Sequence, residues 1–199
     1  MAIYKADVEI IGTRPILFNC FSPECIPIER KEKSGVAGNN PEEWRQTYKT
    51  TDEGLLYVDG SYIHRCLINA AKFVKKGLQS QLAATLETTT DKLIFENRSV
   101  LDSNKITTDP SQEIYIDIRS VKMVKTSARN IRYRLATSIG WKTSFSILWE
   151  GSLINKELML SVCHEAGRFV GIGDNRSNGF GRFKVDSFVV TIDRGQQNA

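Results

Sequence analysis

Eleven residues near the C-terminus carry the most chemistry: Gly171-Ile172-Gly173-Asp174-Asn175-Arg176-Ser177-Asn178-Gly179-Phe180-Gly181. Glycines stand at 171, 173, 179 and 181, with one hydrophobic residue inside each pair. Glycine admits positive φ and lets a ligand's backbone approach closely. Successive exposed N–H groups in such a loop can form a concavity for an anion. Arg176 at the tip and Arg182 just beyond would add bidentate contacts to phosphate. The dinucleotide fingerprint is excluded, because it needs its glycines after a strand and before a helix. A P-loop is excluded too, since no Gly-Lys-Ser/Thr follows. The alternative is a glycine-rich connection that only packs.

A second feature is a segment of one sign. From Arg119 to Trp149 there are seven basic residues, Arg119, Lys122, Lys125, Arg129, Arg132, Arg134 and Lys142, and no acidic one. Such a segment attracts polyanions. The alternative is a solvated sheet face whose counter-charges come from elsewhere in the fold. The net charge of the whole chain is only +4, so placement matters more than sum. Tyr133 and Phe180 are aromatics on which bases could stack.

Catalytic chemistry has one candidate, His64, at the edge of an apolar helix face, where it could act as a general base. The alternative is a boundary histidine that hydrogen-bonds locally. His164, late in a second helix, suits the helix dipole as a structural cation. The acidic residues are scattered, which gives no basis for a two-metal nuclease. The four cysteines form no CxxC pair and only two histidines accompany them. No metal site and no cofactor is therefore expected. The thiols are read as those of a cytoplasmic protein in a reducing compartment. No apolar run approaches the ~20 residues of a membrane span.

The elements that must position these groups follow from periodicity. Tyr4, Ala6, Val8 and Ile10 alternate with polar residues and predict a first strand. Ile63, Leu67, Ala70, Ala71 and Val74 recur at helical spacing after the turn Asp59-Gly60-Ser61, and Lys75-Lys76-Gly77 closes that helix. A short helix is expected at Pro41 to Tyr48, a helical stretch at Gln79 to Leu86 and a short strand at Lys92 to Glu96. Alternation at Ile114 to Arg119, Ile131 to Leu135 and Trp141 to Trp149 predicts three strands, with a hairpin tip at Ser127-Ala128-Arg129-Asn130. A second helix spans about Asn155 to Phe169, with Ile154, Leu158, Val162, Ala166 and Phe169 on its apolar face. The last strand, Arg182 to Ile192, changes phase near Asp186-Ser187, which predicts a bulge.

This order is an α+β, ferredoxin-like or RRM-like βαββαβ core with insertions after the first strand and the first helix. The expected organisation is a single domain over 1–193, with insertions at about 27–54 and 78–112 and a disordered tail at 194–199.

The glycine loop, with the strand Arg182-Phe183-Lys184-Val185 behind it, resembles the C-terminal glycine-rich loop of the RAMP superfamily, RNA-binding proteins of CRISPR systems. Tyr57-Val58-Asp59-Gly60-Ser61-Tyr62-Ile63 is similar to the Pro-Gly-Ser segment ahead of that family's first helix. Asp59 replaces the proline, and the Leu-x-Gly-x-x-Arg continuation is absent. Ala166 to Gly173 also resembles phage-encoded relatives. The resemblance covers about half the chain. It implies an RRM-like core that grips RNA by backbone and shape, and assembly as a homo-oligomer or within a multi-subunit ribonucleoprotein. It also implies, for processing members, metal-free acid–base cleavage at a ribose 2′-hydroxyl, for which His64, helped by Tyr62, Lys72 or Tyr133, would serve.

The sequence thus predicts a non-catalytic binder of single-stranded RNA or DNA. Its contacts would be Gly171, Gly173, Arg176, Gly179, Gly181 and Arg182 in the loop, and Lys122, Lys125, Arg129, Arg132 and Arg134 in the basic hairpin. The two alternatives are a metal-independent endoribonuclease using His64 and an assembly subunit that binds no nucleic acid.

Overall fold

Ala6, Val8 and Ile10 are buried along one face of β1 (Ile3–Gly12), and Asp7 and Glu9 point to the other face, as a period of two requires. The structure, a computed structural model, describes residues 2–20, 41–122 and 129–193. Lys125, the Ser127-Ala128 part of the expected hairpin tip, residues 27–40 of the first expected insertion and the tail 194–199 lie outside the described residues, as does the side chain of Lys122.

β1 is flanked by two antiparallel neighbours, β9 (Lys142–Glu150) and β10 (Phe183–Asp193). A two-residue strand, β5 (Glu87–Thr88), completes the sheet beyond β9, in the order β10-β1-β9-β5. Helix α1 (Ser61–Val74) lies between β1 and β5 in sequence, and α3 (Lys156–Glu165) between β9 and β10. That is the βαββαβ core in its ferredoxin-like strand order. The pairing of β1 with β10 slips between Glu9 and Ile10, where Ser187 and Val185 face them. Asp186 is the extra residue of the bulge that the phase change predicts.

Two helices cover one face of this sheet. α1 buries Ile63, Cys66, Leu67, Ala70 and Ala71, at the i, i+3, i+4 spacing of a single stripe. α3 buries Met159, Val162 and Cys163, and its N-cap Asn155 accepts from the Leu158 amide at 2.8 Å. A shorter helix, α2 (Leu78–Thr85), buries Leu78 and Leu82. The stretch at Pro41 to Tyr48 forms only a 3-10 turn, Glu43–Gln46, which is held by the burial of Trp44 rather than by helical periodicity.

The second core strand is the brief β5, and the alternating segments Ile114 to Arg119 and Ile131 to Leu135 serve another sheet. β7 (Ile114–Lys122) and β8 (Arg129–Thr137) pair as a hairpin, and β8 takes β2 (Ile16–Leu17) as its other neighbour. β3 (Lys49–Thr50), β4 (Leu55–Asp59) and β6 (Lys92–Ser99) make a third sheet. These sheets share the central core. Phe18, Phe95, Trp141 and Phe183 form a chain of edge-on rings with centroids 5.4, 5.5 and 6.4 Å apart. Among the described residues, no helix is long and apolar enough to cross a membrane.

Candidate nucleic-acid interface

The glycine loop begins where α3 widens into a single π turn, Ala166–Val170. Widening of this kind re-aims the side chains that follow it. Phe169, which the 3.6-residue period assigns to the buried face, is 44% exposed. It meets Phe73 of α1, itself 50% exposed, with ring centroids 5.2 Å apart.

All four glycines have positive φ, from +68° at Gly181 to +84° at Gly179. The reasons differ along the loop. Gly171, Gly173 and Gly181 are buried, and a Cβ on Gly181 would lie 1.7 Å from the Ile172 carbonyl oxygen. Gly179 has nothing within 4 Å of that position. The anion-binding concavity expected from main-chain amides is largely used up internally. The amides of Gly171, Ile172, Asp174 and Gly181 donate to carbonyls of Ala166, Gly181, Leu17 and Pro15 at 2.8–3.0 Å, and that of Gly179 donates to Arg176. The glycines therefore let the loop pack against β2 and its own stem. Its side chains, not these amides, are what it presents outward.

Those side chains and α1 enclose a trough. One cavity of about 630 Å³ lies between Lys72 and Phe73 of α1, Phe169 of the π turn, Val121 and Arg134 of the hairpin, and Arg176 and Arg182. A second, of about 370 Å³, is walled by Asn19, Ser61, Tyr62, Arg65 and the loop. The two share Gly173, Asp174 and Arg176, so they run on as one groove along the 62, 65, 69, 72 stripe of α1. Arg65, Lys72, Arg176 and Arg182 form no ion pair among the described residues. Burial, reinforced by the neighbouring Arg176 charge, pulls the Arg182 guanidinium below its ordinary value.

The basic hairpin reaches the same groove, but much of its charge is met within the fold. Arg134 is 5% exposed, and its Nε lies 3.1 Å from Asp174 Oδ2 of the loop. Arg119 donates from Nε to both Asp117 oxygens, at 2.8 and 2.9 Å, and its guanidinium lies 4.5 Å from the Phe180 ring centroid. Burial pushes the Asp117 carboxyl up, and Arg119 and Arg134 pull it back. Arg132 is turned away to Glu43, 2.6 Å from its Nη2. Arg129 is exposed at the start of β8 and does not line the groove. The two stacking candidates read from the sequence are also occupied. Tyr133 packs against the core, and Phe180 sits with Leu17, Tyr115 and Ala136 beneath Arg119.

His64 is not brought into the groove. It lines a separate cavity with Asp59, Glu87 and Asp91, and its Nδ1 lies 3.2 Å from Thr88 Oγ1. That local hydrogen bond is the alternative reading of this residue, and the surrounding carboxylates would repel a phosphodiester. Lys72, Phe73, Arg65 and Phe169 are the groove residues that the sequence did not single out as binding residues. The sequence offers Lys72 only as a helper to His64. For α1 the signal was present, since all three residues fall on the polar side of a clear apolar stripe. For Phe169 there was none.

No family model matches the chain, and no curated protein does at sequence level. Among solved structures, its fold is similar to that of a chain in the cryo-EM structure of the Type III-B Cmr-beta bound to cognate target RNA. The sequence identity is 13% and the TM-score 0.54, over 96% of this chain and 61% of that one. The chain thus spans about three-fifths of the length of its match, and at this identity the likeness is one of fold.

Proposed function

We propose that the chain binds single-stranded RNA in the groove between α1, the π turn and the glycine loop, as a RAMP-type component of a CRISPR ribonucleoprotein. The observation that carries this reading is the composition of the groove. Four cations that form no ion pair among the described residues, Arg65, Lys72, Arg176 and Arg182, lie beside two half-exposed phenylalanines. Cations track a phosphate chain, and aromatic faces take bases whatever their identity. That combination fits a flexible single strand, whose bases are free to turn onto the rings, better than a duplex, whose bases are stacked inside. The preference for RNA is supported by the fold, which is shared with a chain of an RNA-bound complex. The acidic setting of His64 favours binding without cleavage.

Fluorescence anisotropy with a short labelled strand tests the reading. Each neutralised phosphate contributes a slope of about −0.7 in log K against log salt for single strands, so four cations give roughly −3. Binding that is absent, or unaffected by salt, overturns the proposal. Equal or tighter binding to a duplex of the same length overturns its single-strand part.

A further inference from the structure

Two guanidinium groups enter the larger cavity from different elements, Arg134 from β8 and Arg182 from the residue before β10. In each, Nη1 is buried and has no hydrogen-bond partner among the described residues. Arg134 is held from its other side, where Nε faces Asp174 at 3.1 Å without hydrogen-bond geometry. The remaining contact of Arg182 is a long one, from Nη2 to the Arg176 carbonyl at 3.4 Å. Among the described residues that line this cavity are three guanidinium groups (Arg134, Arg176 and Arg182) and one carboxylate, Asp174, which pairs with Arg134. A buried N–H left without an acceptor costs its full desolvation. An oxyanion in the cavity that both side chains line would offer lone pairs to each.

We infer that Arg134 and Arg182 form a dedicated anchor for one phosphate group at the floor of the groove, distinct from the looser contacts made by Arg65, Lys72 and Arg176. The inference rests on the binding reading given above and sharpens it. One phosphate of the strand is seated on two buried Nη1 donors, and Asp174 holds Arg134 in place for it. Arginine suits this task because its rigid fork directs N–H groups at oxygen, where lysine offers only a point charge.

Inorganic phosphate is the probe. Thermal unfolding of the full chain is followed in tens of millimolar phosphate and in potassium chloride of equal ionic strength, for the wild type, Arg182→Gln and Arg132→Gln, whose guanidinium is paired with Glu43 outside the groove. An anion that binds only the folded state raises the unfolding temperature. The expected result is a phosphate-specific rise in the wild type and in Arg132→Gln, and none in Arg182→Gln. The same Arg182→Gln protein should bind a single strand about tenfold more weakly. Arg182 is only half-buried, so its replacement leaves the fold in place, and the wild-type arm needs no variant at all. Absence of a phosphate-specific rise in the wild type, or an equal rise in Arg182→Gln, overturns the anchor. Persistent salt-dependent strand binding in that case leaves the groove reading standing, whereas a wild type that binds no strand overturns that reading itself.

Discussion

Phe73 and Phe169 already touch one another, with centroids 5.2 Å apart, so on the proposed reading a base would stack on the outer face of one ring and not between them. Lys72 Nζ lies 5.0 Å from the Phe73 centroid, which places a cation beside that stacking surface. Replacing Phe73 with alanine should weaken strand binding by about 1–3 kcal/mol, the usual worth of one base–aromatic contact. The urea midpoint should hardly move, because half-exposed surface contributes little to folding. Arg176→Gln should reduce the salt slope of binding by about one phosphate contact. Arg132→Gln should leave it unchanged, since Glu43 already takes that charge. Anisotropy titrations at several salt concentrations read both. At Cys66, burial pushes the thiol up to about 12, and the charges of Arg176 and Arg182 oppose the shift. The folded value therefore stands above the unfolded one of about 8.5. This group's contribution to stability is complete below the unfolded value and is lost as pH rises towards 12. Urea midpoints of the wild type should fall more steeply above pH ~9 than those of Cys66→Ala.

The glycine loop behaves as two different halves, and the element explains why. Its stem is sewn to β2 and to itself through the amides of Ile172, Asp174 and Gly181. Its tip, near Ser177 and Asn178, is exposed. Alanine at Gly181 would need an unfavourable positive φ and would drive its Cβ into the Ile172 carbonyl. Alanine at Gly179 meets only the first of these penalties. Gly181→Ala should therefore cost at least ~2 kcal/mol of folding stability, and Gly179→Ala about 1 kcal/mol. Urea denaturation distinguishes them. Arg176 and Ser177 line the groove but Gly179 does not, so Gly179→Ala should keep its affinity for single strands. The hairpin is the complementary element. Its arginines are mostly neutralised by Asp117, Glu43 and Asp174. Among the described residues, its contribution to the groove is one wall and one buried guanidinium, in place of the broad basic surface that the acid-free run from Arg119 implies.

At the scale of the molecule, the two faces of the ferredoxin-like sheet have different electrostatics. The face away from α1 and α3 carries Asp7 and Glu9 between Ser144, Ser146 and Val189, and it lines an acidic cavity with Glu96. An RRM-like core invites the expectation that this open face meets RNA through aromatic side chains. Here it has the wrong charge, and Phe145, the aromatic residue along that cavity, is buried. The cationic groove lies on the helical side instead. Glu9→Gln should consequently change strand affinity by less than about twofold in the same anisotropy assay, while Arg65→Gln, on the groove, should lower both affinity and salt slope.

Periodicity alone determined the strongest parts of this protein. The alternation of β1, the apolar stripe of α1, the α3 segment and the phase change at Asp186 are local patterns, each legible within some ten residues because side-chain direction follows the backbone repeat. The glycine spacing likewise marked the loop as special, and Arg176 and Arg182 as its charged residues. Tertiary structure alone decided what these pieces do together. Whether an arginine is spent or available depends on a carboxylate many residues away, as Glu43 is from Arg132 and Asp174 from Arg134. Whether Phe169 is core or surface turns on a π turn that no hydrophobic period encodes. That β5, two residues long, completes the main sheet while the longer β7 does not is likewise a matter of long-range pairing, to which a local pattern is blind.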